Sequence, residues 1–362
     1  MRPQLSIIIP FHKGLTFLER ALAGVTPLAA GDELIIAADG AVDDCRPLAA
    51  KYGARVIDIA GPRGPAVARN VASAMATRDV LVFVDADVVA SPAVVDRMAR
   101  IFEEQPDVSA VFGAYDEHPG DKGFVSQYKN LAHAYVHRVS RPSAKTFWAG
   151  FGGVRRSAFM AVGGFDERFE RPSIEDIDLG YRLSSAGHRI MLDPSLAVCH
   201  LKRWTLGGMV KSDVLDRGIP WTQLILRYQQ FGSDLNVRHT DRLSVVAAYL
   251  ATALAAMGVA DERFLAAAAG PIGLAIFWGR DYYRFFAQKR GWGFAARVVP
   301  LHMLYHLYNG VSFATGTMLF LAARKFDVHL PGALPAHAPA GPAASAPAAP
   351  VTVSPSGVVV DR

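Results

Sequence analysis

The stretch "VLVFVDADVVASP", residues 80–92, decides how this chain is read. Its opening residues are apolar on both faces, which suits a strand buried between two layers. The strand runs out on Asp85 and Asp87, spaced so that both side chains leave on the same side of the chain. Neighbouring carboxylates repel unless a cation lies between them or one stays protonated. Hard oxygen ligands in a loop suit Mg2+ or Mn2+, with phosphate or water completing the shell. A helix-capping role is the plainer alternative, but Ser91 followed by Pro92 makes the better N-cap and N1 pair.

Around this stretch, residues 1–115 alternate short apolar runs with amphipathic segments. The runs "LSIIIP", "DELIIAA", "ARVIDIA", "DVLVFVDAD" and "VSAVFGAY" predict strands, while "LTFLERALAGV", "PAVARNVASAMA" and "SPAVVDRMARIFEEQ" have helical spacing. The alternation predicts an α/β fold, a parallel sheet covered by helices. Ligands of such sheets bind beyond the carboxyl ends of the strands, so motifs in those loops have the stronger claim to function.

At 362 residues the chain has room for one large domain or a domain with an appendage. Hydrophobic residues make up 51% and charged residues 20%, which is apolar for a soluble enzyme, and the net charge is only +5. Two cysteines, Cys45 and Cys199, provide neither a disulfide framework nor zinc-finger spacing, so a reducing compartment is expected. The opening "MRPQLSIIIPFHKG" reads as a first strand rather than a signal peptide, so the front of the protein is expected in the cytosol.

The composition changes near Leu243. "LSVVAAYLATALAAMGV", "FLAAAAGPIGLAIFWG" and "VVPLHMLYHLYNGVSFATGTMLFLAA" predict a membrane region of about three apolar helices over 243–326. A connector at 221–242 precedes it, and a basic, aromatic segment at 281–297 marks the cytosolic interface. A helical bundle within a soluble domain is the alternative. In the third run His302, Tyr305, His306 and Asn309 share a helical face, which predicts hydrogen bonding between helices or contact with a headgroup. Residues 327–362 are Ala/Pro-rich and are expected to be disordered.

Further acidic and basic motifs accompany the aspartate pair. Asp39 in "IIAADGAVDD" follows another strand, where an Asp-Gly turn is the equal alternative. "GPRGPAVARNVASA" sets Arg63, Arg69 and Asn70 around a helix start, a ready anion site or simply a solvated face. "SIEDIDLGYRLSSAGHRI" opens a helix on Glu175, Asp176 and Asp178, where the helix dipole alone favours acids. His200 ends the apolar run in "DPSLAVCHLKRW"; a lone histidine there is more often a core residue than a ligand.

The motifs "SIIIPFHKG", "ADGAVDD", "GPAVARN", "VFVDADVV", "VRRSAFMAVGGFDERF", "EDIDLGYRLSSAGHRI" and "VCH" occur in an order that resembles a family 2 glycosyltransferase with the GT-A fold, over about residues 4–220. The resemblance implies a catalytic domain at 1–220 and a nucleotide-sugar donor of the UDP or GDP type. It places donor contacts at Pro10, Phe11, His12, Asp39, Arg69, Asp85 and Ala86, and a divalent cation (Mg2+ or Mn2+) at Asp85, Asp87 and His200. It makes Asp176 the general base and sets Trp148, Gly150 and Glu175 on the acceptor side. A single carboxylate base with direct displacement would invert the anomeric configuration.

Some positions depart from the family pattern. "FHKG" replaces the commoner tyrosine-asparagine, and no serine follows the glycine of "DGAVDD". "VLDRGIPWTQLILRY" lacks the Gln-x-x-Arg-Trp signature of processive synthases, which implies transfer of one sugar. The acceptor is expected to be lipid-linked or membrane-proximal, at the cytosolic face of the inner membrane, with no role for nucleic acid. The rival readings are a nucleotidyltransferase, which would open on a Gly-rich basic loop not found in "IIIPFHKG", and a non-catalytic membrane scaffold.

Overall fold

The computed structural model describes residues 2–231, 239–326, 334, 352–353 and 358–360. The chain divides into two compact units: Met1–Asn130 with Arg141–Arg203 and Pro339–Arg362, and Leu131–Ser140 with Trp204–Ala338.

In the first unit the strands β1 (Leu5–Phe11), β2 (Glu33–Asp39), β3 (Arg55–Ile59) and β4 (Val80–Val84) pair in parallel, in the order β3-β2-β1-β4. Ile7, Ile8 and Ile9 of β1 are all fully buried, so consecutive residues on opposite faces both meet core. Helices α1 (Leu15–Val25), α2 (Arg46–Tyr52), α3 (Pro65–Met75) and α4 (Pro92–Glu104) connect or follow these strands. Of these, α2 is too short and polar to register as a periodic segment in the sequence. Ser91 does hold the N-cap position of α4 with Pro92 at N1, but its side chain makes no capping hydrogen bond.

Beyond β4 the sheet is mixed. After the short β5 (Val88–Val89) come β6 (Val108–Tyr115), α5 (Phe124–Val139), β7 (Ser143–Ala144), β8 (Phe151–Arg155), α6 (Arg156–Ala161), α7 (Glu175–Ser185) and β9 (Arg189–His200). β8 runs antiparallel between β4 and β6, and β9 runs parallel to β6. β5 and β7 lie antiparallel on β9. The pairing of β5 with β9 sets Val88 opposite His200, which carries the end of a late strand to the aspartate loop.

In the second unit α8 (Leu206–Lys211), a π-helical turn (Ser212–Gly218) and α9 (Ile219–Tyr228) precede α10 (His239–Met257), α11 (Arg263–Trp278), α12 (Arg280–Arg290) and α13 (Trp292–Phe326). Here the expectation of spanning helices is corrected: among the described residues no helix is long and apolar enough to cross a membrane. α10 opens on His239, Asp241 and Arg242, α11 is only 16 residues long, and polar side chains recur along α13. On α13 His302 and His306 are buried, and the Tyr283 hydroxyl of α12 lies 2.9 Å from His302 Nδ1. The polar face thus joins helix to helix.

Part of the connector expected at 221–242 and most of the tail expected to be disordered at 327–362 lie outside the described residues. Apart from Leu334, the described tail pieces are strands, β10 (Thr352–Val353) and β11 (Val358–Val360), with β11 added in parallel to the edge of β3. An open strand edge offers unpaired backbone groups that a valine run can satisfy.

Candidate active site

The carboxyl ends of β1, β2 and β4 bring the first three motifs to one rim of the sheet. At β2 the Asp39 carboxylate is buried and accepts from two backbone amides, Arg63 N at 2.8 Å and Gly64 N at 2.7 Å. Asp39 therefore organises the loop into α3. Gly40 beside it has φ +51, and a Cβ there would come within 2.2 Å of the Gly61 carbonyl oxygen, so only glycine fits the turn. His12 Nδ1 lies 3.0 Å from the Asp39 carbonyl oxygen, while the Phe11 side chain is buried in the core rather than offered to a ligand. Pro10 ends the run partly exposed at the same rim.

Arg69 corrects a reading made from the loop alone. Its guanidinium, 4% exposed, donates from Nη2 to Asp85 Oδ1 at 2.7 Å and from Nη1 to Glu175 Oε1 at 2.9 Å. Glu175 Oε2 also accepts from Ser173 N at 2.9 Å, so this carboxylate is engaged on both oxygens instead of facing an acceptor. Asn70 likewise bridges the Phe165 carbonyl and Glu167. Arg69 and Asn70 hold the protein's own carboxyl and carbonyl groups rather than an open anion site. Arg69 clips the end of β4 to the start of α7, two segments with no nearness in sequence.

The aspartate loop is held on both sides. Asp85 N donates to the Gly150 carbonyl and Leu201 N to the Asp87 carbonyl, with half-buried Ala86 between them. Asp87 Oδ2 lies 3.5 Å from His200 Nε2. Burial pushes the Asp87 carboxyl up, but the hydrogen bond and charge of His200, with Lys202, outweigh it and hold Asp87 below the usual range. Burial also pushes Asp85 up, and there Arg69 does not fully offset it. Tyr115 stacks on the His200 ring, with centroids 4.4 Å apart and planes at 10°, and meets Trp148 edge-on at 4.9 Å. The tyrosine was not singled out by sequence; its only signal was its place at the end of an apolar strand.

Asp176 sits in the first turn of α7, half-buried. Its Oδ2 accepts from Ala149 N at 3.1 Å and its Oδ1 from Ile177 N at 2.8 Å. The same 148–150 segment carries Trp148 and Gly150, and a Cβ at Gly150 would meet the Trp148 ring at 2.5 Å. Asp178, by contrast, is structural: Arg182 bonds it at 2.7 Å and continues to the Val162 and Gly164 carbonyls.

Among the described residues no three His, Cys, Asp or Glu side chains converge as a metal cluster. Asp87 and His200 offer one carboxylate and one imidazole, a donor set that suits Mn2+ and leaves other positions to phosphate or water. These residues fit a divalent cation, whereas Asp85, turned to Arg69, does not share the set in this arrangement.

Fold and site together define an α/β domain: a mixed sheet with flanking helices and an acidic loop at the end of its fourth strand. Residues 6–163 match the model of the family described as Glycosyl transferase family 2. It is 26% identical over 248 residues to the pre-mycofactocin glycosyltransferase of Mycobacterium tuberculosis, covering 66% of this chain and 48% of that one. The chain thus spans about half the length of that relative. It is also 52% identical over 54 residues, 15% of this chain and 17% of the other, to the N-acetylglucosaminyl-diphospho-decaprenol L-rhamnosyltransferase of the same species. A solved structure, mannosyltransferase PcManGT from Pyrobaculum calidifontis in complex with GDP-Man and Mn2+, aligns with a TM-score of 0.49 at 15% identity, over 91% of this chain and 89% of that one.

Proposed function

We propose that this chain is an inverting, divalent-cation-dependent transferase that moves one sugar from a nucleoside diphosphate donor to the hydroxyl of a lipid-linked or membrane-proximal acceptor, at the cytosolic face of the inner membrane. The observation that carries the reading is the meeting of Asp87 with His200 at one rim of the sheet, beside a half-buried Asp176 on the neighbouring 149–150 backbone. Asp87 and His200 would hold the cation. When bound, it supplies charge neutralisation for a departing diphosphate. The loop around Asp39, with Pro10 and His12 at the same rim, supports placement of the nucleoside at the ends of β1 and β2.

Asp176 has the exposure and chemistry of a general base. Two backbone amides donate to it and orient the carboxylate, whose chemistry suits the removal of an acceptor proton. Trp148 offers an amphipathic ring next to it, a suitable platform for a sugar or an isoprenoid head. One carboxylate acting on one face of the donor sugar supports inversion. The family relationship to a transferase named for a diphospho-decaprenol acceptor supports the lipid-linked acceptor class.

The test is donor turnover by the purified chain across UDP- and GDP-sugars, with and without Mn2+. Loss of turnover in Asp87→Ala and Asp176→Asn, with the Asp176 variant still binding donor, is the expected result. Unchanged turnover in both variants refutes the reading.

A further inference from the structure

The α10–α11 hairpin is built inside out for a water-facing element. The two helices are joined by the short link Gly258–Glu262 and pack against one another. Their buried positions are small: Ser244, Ala247, Ala248 and Ala251 on α10, and Ala268 and Ala275 on α11. The large apolar side chains point outward. Leu243, Val246, Leu250 and Met257 recur at spacings of three, four and seven along α10, and so share one side of the helix, and Leu265 and Phe277 mark the two ends of α11; all six are exposed. Val259 at the tip is 92% exposed. A hairpin folding in water buries its large apolar groups and exposes the small ones, because the driving force scales with apolar area removed from water. In lipid that force between helices vanishes, and close approach through small residues takes over.

Charge indicates the orientation. The hairpin opens on His239, Asp241 and Arg242 and closes on Trp278 and Arg280, so its base is aromatic and carries two arginines against the acid Asp241. α12 continues with Arg284, Lys289 and Arg290 against the single acid Asp281. The tip carries Asp261, Glu262 and Arg263, all exposed, which makes deep burial of that end unfavourable. We propose that the hairpin lies along one leaflet of an anionic bilayer, its apolar side chains in the outer hydrocarbon, its tip charges at headgroup level and the basic base against the lipid phosphates. The chain is then held at the membrane surface without crossing it, in keeping with helices too short or too polar to span.

The inference rests on the membrane-surface part of the proposed function, and its experiment is separate from turnover. Full-length chain is sedimented with vesicles of phosphatidylcholine alone, or with about one-third phosphatidylglycerol, at low and high salt. Tight co-sedimentation with the anionic vesicles, weakened by salt, is expected, as is a roughly tenfold or greater loss of binding in the double variant Leu250→Asp/Phe277→Asp. Circular dichroism and nucleotide binding of that variant should be unchanged, since neither residue belongs to the catalytic unit. A chain that ignores vesicles, or one that self-associates without lipid through this face so that the double variant only dissociates a dimer, overturns the proposal. Turnover without vesicle binding refutes this inference alone; vesicle binding without turnover refutes the transferase reading alone.

Discussion

Replacing Arg69 by leucine would remove the countercharge from two carboxylates at once. The Glu175 arm carries most of the effect, because both side chains are nearly sealed from solvent, at 5% and 6% exposure, and the contact is 2.9 Å. Removing one partner of such a pair leaves a buried charge without compensation, at a cost of about 3–5 kcal/mol. The Asp85 arm is shorter at 2.7 Å, but its carboxylate is 35% exposed, and water screens it. That arm adds about 0–1 kcal/mol. The expected loss is therefore about 3–5 kcal/mol in all, read from urea denaturation followed by circular dichroism. Arg69→Lys should fall between, since one ammonium keeps the charge but cannot fork to both acids.

Two controls separate this cause from simple loss of packing. The double variant Arg69→Leu/Glu175→Gln removes the stranded charge and should recover a large part of the loss. Acidification should narrow the deficit as well. Burial already raises Asp85, and without Arg69 it rises further. An acid whose folded-state pKa is raised adds relative stability once the pH falls below that value, so the deficit is greatest at neutral pH. A single-variant loss below about 1 kcal/mol, or no recovery in the double variant, refutes the clip.

The remaining predictions concern the cation pair, the turn beside Asp39 and the buried histidines. His200→Ala should abolish Mn2+-dependent binding of nucleoside diphosphate by calorimetry while leaving the fold intact; equal affinity with and without Mn2+ in both proteins would argue against the pair. Gly40→Ala forces a Cβ against the Gly61 carbonyl at positive φ, and should cost about 1–3 kcal/mol and weaken donor binding. Burial lowers His306 to about 4 and holds His302 well below its ordinary value. The unfolded chain protonates these rings below about 6.5 while the folded chain keeps them neutral, so stability is full above that pH and falls toward pH 4 by about 1.4 kcal/mol per unit for each ring. His306→Leu should flatten that slope in a series of urea melts; an unchanged slope would show that other groups set it.

Much of the first unit was legible because its signals are local. "SIIIPF", "ELIIAAD" and "VLVFV" are β-branched runs buried on both faces, and each became a strand of the parallel half. α1 was predicted over the residues it occupies, since its apolar spacing matches one buried face. The mixed half was less clear: β8 is glycine-rich, "FGGVR", and its antiparallel place between β4 and β6 depends on partners remote in the chain. The apolar runs after Leu243 were read by composition as spans. Composition registers how much apolar surface a helix has, but a span also needs length and freedom from interrupting polar groups.

At the candidate site, sequence by itself determined which chemical groups were available: acids at strand ends, an arginine in a helix after a Gly/Pro loop, and a histidine closing an apolar run. Tertiary structure decided what each group does. Arg69 reaches Glu175 across 106 residues and so serves the frame, although its loop suggested an anion site. Asp87 meets His200 because β5 pairs with β9, and Asp85 turns away from them because Arg69 lies closer. Backbone pairing and burial act between segments far apart in the chain. A side chain's partner, and hence its charge and role, is settled only when those segments close on one another.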